Sequence, residues 1–372
     1  MELGGLETIL LAVIVLQLGY FLQRNIKLFR KYYIPAPFIG GIIFSILTSL
    51  NIINIIPANN LIPIFVSGFF VSIGLRVDRR VFKKHIGNQM FFLLLTIVIA
   101  FGQNIVGLLA TKIFGSAPYN PVILGSAAFL GDHTLMNTYQ GLEGLGDETI
   151  AIFKGISVLS ILVGTICGAI MFKLFRNKMD TKDTIKIPAP TFNPMEFLKY
   201  ITIFLGLTFI GLLPVKLGFG KYINPAGGGV LAGLIFNNLF CNSKERKLEN
   251  PKINLLGNFS LSMLLVLNFM LLNFNTIKAL SFKDYLIVLI QAALLMLFAY
   301  KIVFKLYKEN LLALYVASGI VGFSIGYPPS TMSNIQAFTE QEGAIPPVLF
   351  IVPVVGAWLI TIFNPLIISI FM

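Results

Sequence analysis

The chain of 372 residues is 56% hydrophobic and only 12% charged, which is about half the charged share of soluble domains. A water-soluble fold of this size cannot bury so much apolar surface, so the composition excludes an ordinary soluble enzyme or binding domain. A net charge of +12 would indicate nucleic acid as the partner of a soluble protein. Here the basic residues lie in short clusters between apolar runs, so we expect the lipid bilayer as a partner and no nucleic acid.

Apolar runs of the length that crosses a bilayer, about 17 to 25 residues, recur along the whole chain. We predict ten transmembrane helices, at residues 6–23, 34–50, 61–76, 88–111, 150–172, 198–215, 222–240, 255–275, 285–304 and 347–371. Two further apolar segments, 121–140 and 311–339, are interrupted by glycine, proline and polar residues. The sequence therefore predicts an all-α membrane protein of about ten transmembrane helices.

The distribution of Lys and Arg predicts the orientation, because cytoplasmic loops carry an excess of both. With the N-terminus outside, 22 of the 28 basic residues face the cytoplasm. They lie in clusters within residues 24–31, 76–84, 173–199, 244–252 and 301–308. Both termini are then expected to be extracytoplasmic, provided that each broken segment enters and leaves the membrane on the same side.

The second predicted span resembles the seventh, and the fourth resembles the ninth. An offset of 189 residues aligns Tyr33, Ile34 and Gly40 with Tyr222, Ile223 and Gly229, respectively. Gln103 and Gln291, each inside an apolar run, are 188 residues apart. The order of spans and broken segments is also the same in both halves, as in transporters built from internal repeats.

Each half holds five spans, an odd number, so the two copies are predicted to lie in opposite orientations. We expect an N-terminal inverted repeat at residues 1–172 and a C-terminal inverted repeat at residues 198–372. Residues 173–197, the longest polar stretch, are predicted to be a cytoplasmic linker between them.

The two broken segments are where we expect the chemistry. A helix break in hydrocarbon leaves backbone groups unpaired at several kcal/mol each, so it persists only inside protein or beside a wet cavity. We therefore predict a re-entrant hairpin at 121–140 and another at 311–339. A hairpin tip offers helix N-termini to an anion and free carbonyl groups to a cation such as Na+.

The chain resembles the sodium/glutamate symporter family over essentially its whole length. The runs that carry the resemblance are Ile34-Pro35-Ala36-Pro37 with Gly40-Gly41, Leu256-Gly257-Asn258-Phe259-Ser260-Leu261-Ser262, Gly322-Phe323-Ser324-Ile325-Gly326, Ser333-Asn334-Ile335-Gln336-Ala337-Phe338-Thr339-Glu340 and Val352-Pro353-Val354-Val355-Gly356-Ala357. The first hairpin departs from the family's Gly-Gly-His-Gly-Thr-Gly type of run. Gly131-Asp132-His133-Thr134 keeps the glycine and the histidine but adds a carboxylate.

The resemblance implies ten spans in two inverted halves, a re-entrant loop in each half, and a place in the bacterial inner membrane. It also implies alternating-access symport of Na+ with glutamate or a related acidic amino acid, with Na+ as the coupling ion, and a homodimer. Transport of another organic anion with H+ or Na+ stays open, as does an ion channel. We expect no enzyme and no transition metal, because the residues supply no nucleophile or metal-ligand set.

Asp132 is the one acidic residue predicted deep in the membrane, where a charge costs about 3 kcal/mol on insertion scales. It is a candidate cation ligand or proton carrier, or a structural partner of His133 or of a basic side chain. Ser324, Ser330 and Thr331 are the other candidates for cation coupling. The candidate substrate-binding residues are His133, Thr134, Asn137, Ser330, Thr331, Asn334 and Gln336. Gln103 and Gln291 are predicted either to bond neighbouring helices together or to line the site.

Overall fold

The computed structural model describes residues 2–77, 79–115, 120–130, 146–176, 179, 190–191, 193–241, 248–307 and 310–372. Within these ranges the chain is helical without a β-strand, apart from one isolated bridge between Glu2 and Ile56. Eight of the described helices are long and apolar enough to cross a membrane. The expected all-α membrane protein is confirmed.

The described residues of the first half form seven α-helices. They are α1 (Gly5–Asn25), α2 (Lys27–Lys31), α3 (Ala36–Ser49), α4 (Ile62–Arg76), α5 (Arg79–Phe114), α6 (Ser126–Phe129) and α7 (Asp147–Arg176). The second half contains α8 (Pro194–Lys216), α9 (Pro225–Phe240), α10 (Asn250–Met270), α11 (Phe282–Phe298), α12 (Phe304–Leu306), α13 (Leu311–Glu342), α14 (Pro346–Val354) and α15 (Ile360–Phe371). π-helical turns at Ala299–Val303 and Val355–Leu359 join α11 to α12 and α14 to α15.

Side-chain caps fix several helix starts. Asn193 accepts a hydrogen bond from the Glu196 amide at 2.8 Å, and Asn224 accepts one from the Gly227 amide at 2.9 Å. Proline follows each of these asparagines, where its missing N–H and fixed φ suit the first helical position. Asn310 caps α13 in the same way, accepting from Ala313 at 2.9 Å. Short polar sequences thus define where the apolar helices begin.

Helices lie in all ten predicted spans, with shifted ends. The eighth span was predicted at 255–275, but α10 begins at Asn250 because Pro251 suits a helix start and Lys252 forms an ion pair with Glu196. The segment after it is a 3-10 helix, Phe274–Ala279. Helices α7 and α8 extend into both ends of the predicted linker 173–197, most of which lies outside the described residues.

The helices divide into two packing groups. We call α1, α3, α4, α8, α9 and α10 the panel group, and α5, α6, α7, α11, α13, α14 and α15 the hairpin group. The largest buried apolar cluster lies within the hairpin group, and a second cluster is formed by panel helices with a few side chains from α7, α13 and α14. Each half of the chain contributes three helices to the panel group.

The first two panel helices of each half cross at glycines. A β-carbon on Gly40 of α3 would collide with the backbone carbonyl of Val15 in α1. In the second half, a β-carbon on Gly211 of α8 would lie 2.9 Å from the Cα of Gly229 in α9. Gly40 and Gly229 are the positions that the repeat alignment pairs. Both halves therefore bring their first two panel helices into backbone contact at the same position of the repeat.

Helix α13 is folded back on itself. A straight helix would separate Gly319 from Thr331 by about 18 Å. Instead, the Thr331 hydroxyl donates to the Gly319 carbonyl at 2.8 Å, and the Tyr315 hydroxyl donates to the Gly343 carbonyl at 2.8 Å. The chain therefore turns near Gly326 and forms a first arm and a return arm side by side. Entry and exit on one face of the membrane stays a prediction.

Candidate functional site

The return arm of α13 carries four of the predicted substrate residues, and three of them lie together against α7 and the first arm. Ser330 donates to the carbonyls of Gly326, at 2.5 Å, and Ile161, at 3.2 Å. The Asn334 amide donates to the Thr165 carbonyl at 3.1 Å. Together with Thr331, these side chains connect the return arm to the first arm and to α7.

Two glycines of α7 make this approach possible. A β-carbon on Gly164 would lie 2.6 Å from the Cα of Gly326, at the turn of α13. One turn further along α7, a β-carbon on Gly168 would collide with the Asn334 amide. Glycine at both positions brings the backbones of α7 and α13 into contact, and it places Asn334 at the surface of α7.

Gln336 lies elsewhere, at the boundary between the two helix groups. Its amide donates to the Ser262 hydroxyl of α10 at 2.8 Å and to Glu340 Oε1 at 2.9 Å. The same carboxylate accepts a hydrogen bond from the Tyr20 hydroxyl of α1 at 2.7 Å. The predicted residues of the second hairpin therefore divide between a site inside the hairpin group and a contact with the panel group.

Hydrogen bonds also connect the groups at Glu342. Its carboxylate accepts from the Tyr33 hydroxyl at 2.6 Å and pairs with Arg176 at 2.7 Å. Tyr33 lies three residues before α3 of the panel group, and Arg176 belongs to α7 of the hairpin group. Sequence analysis missed the roles of Glu340 and Glu342. The sequence feature that could have revealed them is the pair of carboxylates at the end of a long apolar helix.

A cavity of about 190 Å³ lies between the two groups beside the turn of α13. It is lined by Ile62, Pro63, Val66, Phe70, Asn224, Pro225, Ala226, Leu264, Asn268, Pro328, Met332, Ala357 and Thr361. The starts of α4 and α9 line it, together with Pro328 just after the turn of α13. Helix N-termini favour negative charge, and the remaining walls are largely apolar.

Gln103 and Gln291 hold the broken segments by their backbones, which bears out hydrogen bonding between helices as one role for them. The Gln103 amide donates to the Ser324 carbonyl at 2.5 Å. The Gln291 amide donates to the carbonyls of Gln103, at 3.0 Å, and Leu124, at 3.1 Å. A glutamine amide from each half thus donates to backbone carbonyls of the other half.

Several buried oxygen atoms near these segments have no hydrogen-bond partner within the described part of the chain. They are Gln103 Oε1, Ser126 Oγ, Ser324 Oγ, Asn334 Oδ1 and Gln336 Oε1. Three of them belong to predicted site residues. Asp132, His133, Thr134 and Asn137, the candidates from the first hairpin, lie outside the described residues.

Long apolar helices, two packing groups with a cavity between them and a folded-back helix with buried polar groups define a multi-pass membrane protein of the carrier class. The chain belongs to the sodium/glutamate symporter family, whose sequence model matches residues 1–344. The family resemblance expected from the sequence is confirmed. The family is one of transporters and not of enzymes.

Two relatives resemble this chain over almost its whole length. The sodium/glutamate symporter of Haemophilus influenzae is 26% identical over 387 aligned positions, covering 96% of this chain and 94% of that protein. The sodium/glutamate symporter of Escherichia coli is 24% identical over 395 positions, covering 100% of this chain and 98% of that protein. The chain is thus a divergent member of the family.

Proposed function

We propose that this protein is a secondary active transporter that carries glutamate or a related acidic amino acid together with Na+. The observation that carries this proposal is the end-to-end similarity to two sodium/glutamate symporters. A divergent substrate pocket would leave the fold intact but change which acid is carried. The transport test must therefore distinguish Na+ coupling from H+ coupling, and acidic amino acids from other organic anions.

The cavity beside the turn of α13 is the proposed place where the anionic substrate binds from outside. Its volume of about 190 Å³ is of the size of one small amino acid. The N-termini of α4 and α9 line it, and their partial positive charge would offset part of the charge of a carboxylate. Asn268 and Thr361 supply polar groups on its wall.

Alternating access would follow from movement of the hairpin group against the panel group. The panel helices cross at glycine contacts that leave little room for sliding, whereas the boundary between the groups is held by a few hydrogen bonds, such as those of Gln336 and Glu340. Ser330, Thr331 and Asn334 would travel with the hairpin group. Binding of Na+ and substrate would each raise the affinity for the other by the same factor.

The proposal also includes the membrane, the orientation and the oligomeric state of the protein. The family resemblance supports a place in the bacterial inner membrane, and the distribution of Lys and Arg supports extracytoplasmic termini. The cavity would then open outward, since α4 and α9 both start on that side. The apolar faces of panel helices, such as Leu205 and Phe209 of α8, 56% and 55% exposed, would meet lipid or a second copy in a homodimer.

Uptake into proteoliposomes tests the proposed function. With an inward Na+ gradient, labelled L-glutamate should accumulate above equilibrium, and unlabelled L-glutamate or L-aspartate should compete. A K+ gradient of the same size is the control for ionic strength. Accumulation driven by a pH gradient alone would assign the coupling to H+. Failure to accumulate any acidic amino acid under either gradient would reject acidic amino-acid symport.

A further inference from the structure

Gln103 of α5 and Ser324 of the first arm of α13 meet inside the hairpin group. The Gln103 Nε2 atom lies 2.5 Å from the Ser324 carbonyl oxygen, so the amide must present its N–H there. The Gln103 Oε1 atom consequently points away from that carbonyl. Gln103 is 4% exposed and Ser324 is fully buried. The two residues therefore touch inside the hairpin group, and each carries a buried side-chain oxygen.

Both side-chain oxygens lack a hydrogen-bond partner within the described ranges. Leaving a buried polar atom unpaired destabilises a fold, so such atoms are rare in stable proteins. Ser324 has a local alternative, because a helical serine can donate to the carbonyl four residues earlier. Ser318, on the same arm, does so to Leu314 at 2.7 Å. Ser324 forgoes that bond, which leaves its hydroxyl oxygen available to another group.

The chemistry of the two ligands indicates what that group is. Amide and hydroxyl oxygens are hard, neutral ligands, and such ligands suit an alkali or alkaline-earth cation better than a transition metal. Ca2+ sites usually add carboxylates, and Gln103 and Ser324 bring no formal charge. Neither side chain titrates, so the pair cannot itself carry a proton at physiological pH. A monovalent hard cation fits best.

We propose that Gln103 Oε1 and Ser324 Oγ are ligands of a buried Na+ site in the hairpin group. This proposal rests on the proposed function, since it locates the coupling ion of the symport. Bound Na+ would satisfy both unpaired oxygens and add a positive charge to a neutral site. Because Ser324 lies on the arm that turns at Gly326, the ion would also tie the first arm to α5.

Ser324→Ala tests the site most cleanly, because it removes the hydroxyl and keeps the Gln103 hydrogen bond to the backbone. The half-saturating Na+ concentration for uptake should rise about fivefold or more, as expected for loss of one neutral contact worth about 1 kcal/mol. The rise in thermal unfolding midpoint on replacing K+ by Na+ should shrink in parallel. Ser318→Ala, equally buried but with its hydroxyl already bonded, should change neither quantity. Gln103→Met, a variant of similar volume, should reproduce the Ser324→Ala effect.

Two readouts separate this proposal from the proposed function. If the wild type shows a Na+-specific thermal shift that Ser324→Ala loses, the site stands even if L-glutamate is not transported. If Ser324→Ala folds and keeps both the thermal shift and the half-saturating Na+ concentration of the wild type, the site is overturned, and the two oxygens bind water only. That result would leave Na+-coupled symport itself intact.

Discussion

Thr331 holds the two arms of α13 together through one hydroxyl group. Its Oγ1 donates to the Gly319 carbonyl at 2.8 Å, and the residue is 2% exposed. Ser330 and Asn334 bond instead to carbonyls of α7. The donors of these three residues are therefore used inside the protein, while Asn334 Oδ1 has no partner within the described chain. The hydrogen bonds of these three residues therefore support a role in positioning the return arm.

Thr331→Val is the prediction that follows. The change keeps the branched shape but removes the bond between the arms, so the free energy of unfolding should fall by about 1 kcal/mol. Uptake should fall as well, because the turn of α13 is no longer fixed. Thr331→Ser should restore both properties. Thermal unfolding in detergent and initial uptake rates provide the measurements. Lost uptake with unchanged stability would contradict the positioning role and indicate a direct contact with the ion or substrate.

At the scale of elements, the contact between α7 and α13 depends on glycine. Gly164 faces the Gly326 backbone at a distance that no side chain can occupy. Gly102 of α5 offers the opposite case, since a β-carbon there would meet no atom within 4 Å. The same substitution at these two helical glycines should therefore have opposite effects.

Gly164→Ala is expected to destabilise the protein by about 1–3 kcal/mol, because the methyl group forces α7 away from the turn of α13. The hydrogen bonds of Ser330 and Asn334 to α7 should weaken with it, so uptake should be largely lost. Gly102→Ala should be neutral or stabilise the helix by up to about 1 kcal/mol. Thermal unfolding and uptake of the two variants can be compared directly. A neutral Gly164→Ala would show that α7 and α13 are further apart than described.

The sequence predicted where the helices lie, but it did not predict which helices pack against each other. Apolar runs located helices in all ten predicted segments, and eight described helices have the length that bilayer thickness requires. The glycine and proline residues that interrupt segment 311–339 predicted that it turns, and α13 turns near Gly326. The contact of Asn334 with α7 was not predictable, because it depends on which helix brings a glycine opposite the return arm. Long-range packing of this kind leaves no local pattern in the chain.

The same limit applies to Gln336. It follows Asn334 by only two residues and looked like a member of the same site, yet it bonds to Ser262 across the group boundary. Residues two apart on a helix point in directions that differ by about 200°. The contact of Gln336 with the panel group could be recognised only from the packing of the panel and hairpin groups.

For the whole molecule, hydrogen bonds cross the boundary between the groups at both ends. Near Glu340 and Glu342, the hydroxyl groups of Tyr20 and Tyr33 donate to the two carboxylates. Near the start of α9, beside the cavity, the Asn224 amide donates to the Ala357 carbonyl at 2.6 Å. With the proposed orientation, the Glu340 end is cytoplasmic and the cavity is external, so access from either side requires some of these bonds to break.

Cysteine labelling at Asn268 tests that arrangement and the place of the substrate together. In a variant lacking Cys167 and Cys241, Asn268→Cys should react with a membrane-impermeant thiol reagent added outside, because Asn268 lines the cavity. Na+ with L-glutamate should slow the reaction, whereas either alone should protect less, as linked binding requires. Lys278→Cys, on the same side but outside the cavity lining, should be labelled without protection, and Lys301→Cys only from the cytoplasm. Labelling of Asn268→Cys solely from inside would reverse the orientation, and labelling without protection would move the substrate elsewhere.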